Sequence, residues 1–361
     1  MKNHLIYYPT PININYNWNY GFLLLILMFI QIITGLLLSI NYISDITLSF
    51  ISINYIYREL YNGYCIRLLH ANVVSFIFIL LYIHIFKSLI YYSYYYNLLT
   101  WYSGILIYLL LIIISFLGYV LPWGQLSYWG VTVITNILSI IPYLIEWICG
   151  NYIISTPTIK RFFIFHFILS FILLIFIFYH IFYLHNKGSN NPIGRNINYF
   201  IPFYIFIILK DLISLNILII YIIIQNYFGI LELSHPDNTI LANGFITPYH
   251  IVPECYFLAF YCILKAITNK ISGLIILLYF ISVLFIFTDY KNYIFNYHLN
   301  ISYNYIYSFL LLTWIGSKLP QEKFIIFQQL TLLMYYSFTF NYLSINLIYQ
   351  DYIIPYFYRY K

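Results

Sequence analysis

Eight stretches of the chain are apolar over the length that crosses a bilayer: residues 20–41, 66–91, 102–121, 161–184, 211–230, 271–288, 302–316 and 324–346. A helix crossing a hydrocarbon core of about 30 Å needs about 20 such residues. The seventh stretch is the shortest. The first is too long for the apolar core of a secretory signal and lacks a basic start or a small-residue cleavage site, so it reads as a retained span. The polar connections differ in kind. Residues 42–65 carry Asp45, Arg58 and Glu59. Residues 122–160 carry Pro122, Pro142 and Pro157 around a half-apolar stretch, Val131–Ile148, that suits short helices lying along the interface. Gly188, Ser189, Asn190, Asn191, Pro192 and Gly194 mark a loop. A second loop, 231–254, holds three prolines, the last of which, Pro253, opens another apolar helix. No internal repeat is visible.

Composition adds exclusions. Of 361 residues, 63% are hydrophobic and only 7% are charged. Too few charges remain to solvate a soluble enzyme or a disordered chain of this size. Four cysteines are too sparse for a secreted disulfide scaffold. The net charge is +6, but Lys and Arg are scattered singly, with no basic run for nucleic acid. They divide eight to eight between the two sides of an eight-span topology, so the positive-inside rule gives no orientation. The expected fold class is all-α: a polytopic membrane protein of about eight spans, the first four forming a bundle.

Four of the nine histidines fall inside spans two and four: His70 and His84, then His166 and His180. Each pair is 14 residues apart, nearly four full turns, so both rings leave one helix face about 21 Å apart along the axis. Spans two and four run parallel in an up-and-down bundle. His70 then faces His166 at one depth, and His84 faces His180 at another. A single such histidine is as often a core residue bonded to a neighbouring carbonyl. Nine histidines placed at random give about 0.2 pairs at any one chosen spacing, so two on parallel spans argue for clamped metal cofactors. Each level offers two ligands, which disfavours zinc and suits a bis-histidine haem, closed to oxygen and fit to carry electrons. No CxxCH or CxxC occurs, so attachment is non-covalent.

Glycines repeat the spacing. Gly21 and Gly35 in span one, and Gly104 and Gly118 in span three, are each 14 apart. Glycine inside a helix costs about 0.5–1 kcal/mol relative to alanine. A bare backbone patch at the ligand period would admit a porphyrin edge; taken alone, close helix packing explains it better. Arg67, Lys87 and Arg161 flank the ligands near the span ends, where haem propionates need cations. Snorkelling at the interface is the plainer alternative.

At this point the chain resembles the mitochondrial cytochrome b family, the membrane core of ubiquinol–cytochrome c reductase. The likeness covers nearly the whole chain. It runs through Trp18–Asn19–Tyr20–Gly21, Gln31–Ile32–Ile33–Thr34–Gly35, Arg67–Leu68–Leu69–His70–Ala71–Asn72 and Gly118–Tyr119–Val120–Leu121–Pro122–Trp123–Gly124–Gln125. It continues in Trp129–Gly130–Val131–Thr132–Val133–Ile134–Thr135–Asn136, Arg161–Phe162–Phe163, His185 to Pro192, Lys210–Asp211, Pro236–Asp237–Asn238 and Leu312–Thr313–Trp314–Ile315–Gly316. The resemblance implies two non-covalent b-type haems carrying electrons between two quinone sites on opposite membrane sides, coupled to proton translocation. His70 and His166 would ligate the low-potential haem near the intermembrane face, and His84 and His180 the high-potential haem near the matrix. Ubiquinol oxidation would occur near Tyr119, Gly130, Glu254 and Tyr256. Quinone reduction would occur near His185, Ser189, Lys210 and Asp211.

The family also implies a mitochondrial inner-membrane setting, surrounding lipid and a homodimeric complex III. Its electron partners are a Rieske iron–sulfur protein and a membrane-bound c-type cytochrome. This chain has neither motif, so other subunits must supply both. Two domains are expected: a haem-binding bundle, 1–200, and a C-terminal part, 201–361, with the quinol-oxidation loop. The photosynthetic relative is split in two and has one more residue between the ligands of its fourth span, which favours the respiratory type here. Three positions depart from the family. Pro253–Glu254–Cys255–Tyr256 has cysteine for the usual tryptophan, Val131 stands for alanine, and Lys87 stands for arginine, which loses any bidentate carboxylate contact.

Chemistry assigns roles within those sites. Quinol oxidation needs a proton acceptor, and Glu254, just inside a proline-started helix, is placed where the dipole favours its charge. Quinone reduction needs donors; His185 at the mouth of span four titrates near neutrality, and Asp211 opens span five beside Lys210. The plainer readings are a helix-start carboxylate and interfacial anchoring. His235 and His250 lie in the proline-rich loop, where partner contacts are conceivable; His4 and His298 have no assignable role. Cys65, Cys149, Cys255 and Cys262 read as inert buried thiols. Two rival classes use the same residues: a transporter with histidine proton relays, and another di-haem cytochrome feeding a dehydrogenase. A reduced-minus-oxidised spectrum separates the first, and inhibitors of both quinone sites the second.

Overall fold

The computed structural model describes residues 6–193, 198–286 and 295–348. Among them are thirteen α-helices: α1 Tyr20–Ser39, α2 Ser49–Glu59, α3 Gly63–Ile90, α4 Ser93–Tyr96, α5 Leu98–Val120, α6 Gln125–Leu138, α7 Leu144–Cys149, α8 Thr156–Lys187, α9 Phe206–Phe228, α10 Leu258–Ala266, α11 Lys270–Ile286, α12 Phe295–Gly316 and α13 Glu322–Ile348. The one sheet among the described residues is a ribbon of β1 Pro9–Pro11 and β2 Phe200–Pro202, antiparallel, with Thr10 opposite Ile201. That ribbon is the exception to an otherwise all-helical fold.

The eight long helices lie on the eight apolar stretches. α1, α3, α5, α8 and α9 are each long and apolar enough to cross a membrane. α11 is shorter, at 17 residues, and the end expected for that span lies outside the described residues. α12 and α13 have the length, but Asn304, Gln328 and Gln329 interrupt their apolar runs. The seventh helix starts at Phe295, before the expected 302. Pro157 near the start of α8 and a capping box between Ser155 and Thr158 account for its early beginning. The half-apolar connection forms the short helices α6 and α7. The polar segment 42–65, read as a plain connection, contains α2.

Ile168, Ile175 and Phe178 of α8 are exposed, as are Ile213, Ile220 and Tyr221 of α9. Apolar faces this extensive have no stable place in water and suit lipid. The chain is a multi-pass membrane protein.

Two compact units meet between Tyr256 and Phe257. The first therefore holds the fifth span and the proline-rich loop, which the sequence reading assigned to its C-terminal part. Three ties hold these elements to the N-terminal bundle: β1 pairs with β2, Asn19 Nδ2 donates to the Lys210 carbonyl at 2.9 Å and to Ser214 Oγ at 2.8 Å, and the Asn72 and Asn226 amides bond at 2.8 Å. In the bundle α1 packs along α3, and α5 along α8. In the second unit α10 packs on α11, α12 and α13, around Phe280, Leu312, Ile315 and Tyr335.

The motifs around Trp123 and Asn238 clasp each other. Gln125 N donates to Ile240 O, Ala242 N to Trp123 O, and Ser127 N and Oγ both donate to Asn238 Oδ1. Gln125 Nε2 and Trp129 Nε1 both donate to Ile246 O. Gly124 permits this contact, because a Cβ there would collide with the Asn238 carbonyl. Val131 is buried among Leu117, Val120, Trp123, Ile159 and Phe162, so this core holds its larger side chain. Gly124→Ala is expected to force the loop off α6 at a cost of about 1–3 kcal/mol, read as a lower melting temperature and faster proteolysis between residues 236 and 246.

Candidate functional site

α3 and α8 run in the same direction, because both of their histidine pairs meet. The ring centroids of His70 and His166 are 6.3 Å apart, with planes at 81°; those of His84 and His180 are 6.4 Å apart, at 64°. A metal–imidazole bond is about 2.0–2.1 Å and a ring nitrogen lies roughly 1.1 Å from its ring centre, so two imidazoles in line on one ion have centres roughly 6.3 Å apart. The spacing therefore fits one metal ion held axially at each level. Among the described residues no cluster of three or more His, Cys, Asp or Glu could hold a metal.

Hydrogen bonds select the ligating nitrogen. His166 Nδ1 lies 2.8 Å from the Ile114 carbonyl, so it must be the donor. Thr34 Oγ1 is 2.9 Å from His70 Nδ1, and its own proton goes to the carbonyls of Ile30 and Gln31. Ser103 Oγ is 3.0 Å from His180 Nδ1, and its proton goes to Thr100 O. Both hydroxyls thus accept from Nδ1–H. In these three rings the bare lone pair is on Nε2, the arrangement that orients a metal-binding imidazole. His84 Nδ1 is buried and finds no partner among the described residues.

Each glycine of the repeat faces one of these rings. A Cβ at Gly35 would come within 3.1 Å of His70 Cε1, at Gly118 within 2.6 Å of His166 Cε1, at Gly104 within 3.1 Å of His180 Cε1, and at Gly21 within 3.5 Å of His84 Cε1. The glycines make room for the imidazoles themselves. Gln31 completes the first seat by donating to the His70 carbonyl at 2.9 Å. Between the four helices lies a mostly apolar cavity of about 1120 Å³, counting its open mouth, lined by Gly35, Arg67, His70, Phe78, Gly118 and His166 among others. Arg67 gives this cavity a cation. Lys87, at the other level, rests over the Trp18 ring at 4.8 Å. Arg161 does not face a ligand: its guanidinium donates to the carbonyls of Glu146 and Trp147, capping the end of α7.

On the Arg67 side, Tyr119, Gly130, Glu254 and Tyr256 come together. A Cβ at Gly130 would meet Tyr119 Cε1 at 4.0 Å, and Glu254 is within electrostatic reach of Arg67, Tyr119 and Tyr256. The Tyr119 hydroxyl is buried and finds no hydrogen-bond partner among the described residues. Tyr256 stacks on Phe78 at 4.5 Å and 7°, and its carbonyl accepts from the Tyr82 hydroxyl at 2.7 Å. Phe78 also lines the cavity, so one ring joins the two sites. Tyr256 keeps this packing with cysteine as its neighbour.

Glu254 departs from its expected setting. It immediately precedes the 3₁₀ turn Cys255–Phe257, which runs on into α10, and so stands before that helix rather than inside it. Burial pushes its carboxyl up to about 7, against the opposing pull of Arg67. Cys255 is exposed and Cys65 half-buried, so only Cys149 and Cys262 are buried as expected.

On the other side, His185 sits in the last turn of α8, its ring 4.7 Å from that of Tyr8. Ser189 follows in the loop. Lys210 and Asp211 lie one turn inside α9, because the helix starts at Phe206. Lys210 Nζ donates to Ile14 O at 3.0 Å, and Asp211 is buried. The N-terminal arm therefore touches His185 through Tyr8 and Lys210 through Ile14. In the proline-rich loop His235 pairs with Asp237 at 3.7 Å, closing its own turn. His4 lies outside the described residues. Sequence reasoning missed Gln31, Thr34, Ser103, Phe78 and Tyr8. The hydroxyl–glycine dipeptides Thr34–Gly35 and Ser103–Gly104 were the available signal for two of them.

A helical bundle carrying two facing histidine pairs at different depths of a membrane defines a membrane cytochrome. Comparisons with known proteins narrow this. The family model "Cytochrome b/b6/petB" matches residues 5–188, and "Cytochrome b(C-terminal)/b6/petD" matches 241–336. Cytochrome b of Plasmodium berghei is 47% identical over 347 residues, covering 93% of this chain and 92% of that protein. Cytochrome b of Toxoplasma gondii is 42% identical over 345 residues, covering 92% and 93%. That of Apis mellifera ligustica is 42% identical over 329 residues, covering 88% and 86%. A solved structure titled "Hyperthermophilic respiratory Complex III" superposes with a TM-score of 0.86 at 27% identity, over 94% of each chain. The chain belongs to the cytochrome b family, and its role is that of the core redox subunit of ubiquinol–cytochrome c reductase.

Gly118→Val is expected to drive a side chain into the His166 ring. If each histidine pair holds one haem, haem per chain, measured by pyridine haemochrome, should fall by half, with the spectrum of the other level retained.

Proposed function

We propose that His70 with His166, and His84 with His180, each hold one b-type haem, and that the two flanking clusters are the quinol-oxidation and quinone-reduction sites. The observation that carries this reading is the pair of centroid separations, 6.3 and 6.4 Å, each matching two imidazoles on one iron. Bound there, the haems supply one-electron transfer between the two quinone sites. Arg67 would supply a cation to the acidic groups of the first haem, and Lys87 to those of the second. The Thr34, Ser103 and Ile114 oxygens hold their imidazoles in the Nε2-ligating tautomer.

At the oxidation site Glu254 takes a proton from the quinol. Its carboxyl titrates at about 7, so it is ready to accept near neutral pH and can release the proton again. Tyr119 offers an unspent hydroxyl, and the Tyr256–Phe78 stack fixes the wall between quinol and haem cavity. On the opposite side His185 and Asp211 supply protons to the reduced quinone, with Ser189 and Lys210 beside them. The setting is the mitochondrial inner membrane, in a homodimeric complex with a Rieske iron–sulfur protein and a membrane-bound c-type cytochrome. Relatives that resemble this chain over almost its whole length support that assembly.

The sign of the pH dependence follows from Glu254. The acceptor is the carboxylate, so quinol oxidation should rise as pH increases through about 7. Glu254→Gln should slow it by at least roughly 10-fold and remove that rising limb. Steady-state rates from pH 5.5 to 8.5 test this, and unchanged turnover across the range rejects it. Asp211→Ala should slow reoxidation of the His84/His180 haem by roughly 10-fold in stopped-flow absorbance, leaving quinol-driven reduction of the first haem intact.

A further inference from the structure

The four histidine seats follow one plan, and one of them is incomplete. His70, His166 and His180 each direct Nδ1 at an oxygen of the neighbouring helix: Thr34 Oγ1 at 2.9 Å, Ile114 O at 2.8 Å and Ser103 Oγ at 3.0 Å. His84 Nδ1 is buried and has no hydrogen-bond partner among the described residues. Ser88, one turn on in α3, donates to the His84 carbonyl at 2.8 Å and so serves the backbone, not the ring.

The repeat shows why. His84 lies 14 residues after His70 on α3, and the α1 residues 14 before Thr34 and Gly35 are Tyr20 and Gly21. Gly21 keeps its part: a Cβ there would stand 3.5 Å from His84 Cε1. Tyr20 stands where the repeat calls for a small hydroxyl. A tyrosine carries its oxygen at the far end of a rigid ring and cannot present it beside its own Cβ, as serine and threonine do. The carbonyl solution is closed as well. Gly118 follows Ile114 inside α5, so a helical turn precedes it and supplies the oxygen. α1 begins at Tyr20, and the residues before it form the 3₁₀ turn Tyr16–Trp18, so no α-helical turn precedes Gly21.

A hydrogen bond from Nδ1–H to an oxygen moves electron density towards Nε2 and makes the imidazole a stronger donor to a metal. A stronger donor favours ferric iron, and its loss favours ferrous iron. Such hydrogen bonding is one of the few means by which a protein sets a haem potential. Both rings of the His70/His166 level have this bond; at the His84/His180 level one ring has it.

We propose that Tyr20 tunes the reduction potential of the His84/His180 level: standing in the place of a small hydroxyl, it leaves His84 the weakest of the four iron donors and the iron of that level easier to reduce. This rests on reading each histidine pair as the axial ligands of one haem.

In the intact membrane complex, equilibrium redox potentiometry followed in the haem absorbance bands separates the two levels, and His84→Leu identifies the band that belongs to its own. Tyr20→Ser supplies the hydroxyl. Tyr20→Ala removes the ring without supplying one, so the difference between the two variants isolates the hydrogen bond. Relative to Tyr20→Ala, Tyr20→Ser should shift the reduction equilibrium of the His84/His180 level roughly 3- to 10-fold towards the oxidised form, the tenfold case being about 59 mV for one electron. Ser103→Ala should shift the same level the opposite way, and Thr34→Val should do so at the other level, with haem content unchanged in all four. Equal potentials in Tyr20→Ser and Tyr20→Ala overturn the proposal, because the added hydroxyl then changes nothing at His84. Unchanged potentials in both Ser103→Ala and Thr34→Val overturn it equally. His84→Leu and His180→Leu tell the two readings apart. If each loses one haem while the Tyr20 variants do not differ, only the tuning fails. If both keep two haems, the reading of the pairs as ligands fails with it.

Discussion

The structure depends on presenting four imidazole lone pairs in two facing pairs inside a medium with no water to correct a misplaced ring. An imidazole can flip and can carry its proton on either nitrogen. In His70, His166 and His180 that freedom is removed by an oxygen that has no choice but to accept. A carbonyl never donates, and the Thr34 and Ser103 hydroxyls have already spent their protons on carbonyls of their own helices. Helix hydrogen bonding and ligand orientation are thereby one network. A threonine or serine in a helix that bonds back to its own backbone is usually neutral or slightly unfavourable; here it sets the tautomer of a ring on the next helix.

That constraint explains the glycines. The hydroxyl reaches Nδ1 only if the neighbouring helix comes close, and close approach leaves no room for a Cβ beside the ring. Thr34–Gly35 and Ser103–Gly104 solve both needs in adjacent residues. Gly118 solves it with a carbonyl one turn earlier, at Ile114. Gly21 is the looser case: its ring contact is the longest of the four, and the residue before it is Tyr20, which cannot play the small-hydroxyl part.

A few long-range contacts tie the histidine bundle to the loops. Phe78 belongs both to the cavity and to the stack on Tyr256, so the two share one ring. Asn238 takes two hydrogen bonds from Ser127 and so ties the proline-rich loop to α6, on which Gly130 lies against Tyr119. At the far face the N-terminal arm connects the end of α8 with the start of α9. The Ser127–Asn238 and Lys210–Ile14 connections are polar groups satisfied across a long sequence separation, which in an apolar bundle fixes register more firmly than interchangeable aliphatic contacts do.

The spans, the histidine period and the glycine period were legible in the chain because they are local. Hydropathy over about 20 residues and a 14-residue repeat are set by helix geometry alone, and the helices found at 20–39, 63–90, 98–120 and 156–187 follow from them. Beyond the two histidine pairs, proximity between distant segments was not legible in the residue pattern. Nothing in the order of residues says that Asn238 answers Ser127, that Arg161 turns to the carbonyls of Glu146 and Trp147, or that Tyr8 meets His185 across 176 intervening positions. Nor does it say that burial would outweigh the pull of Arg67 at Glu254. Those outcomes depend on which helices pack together and on how much water remains between them, and both are properties of the assembled bundle.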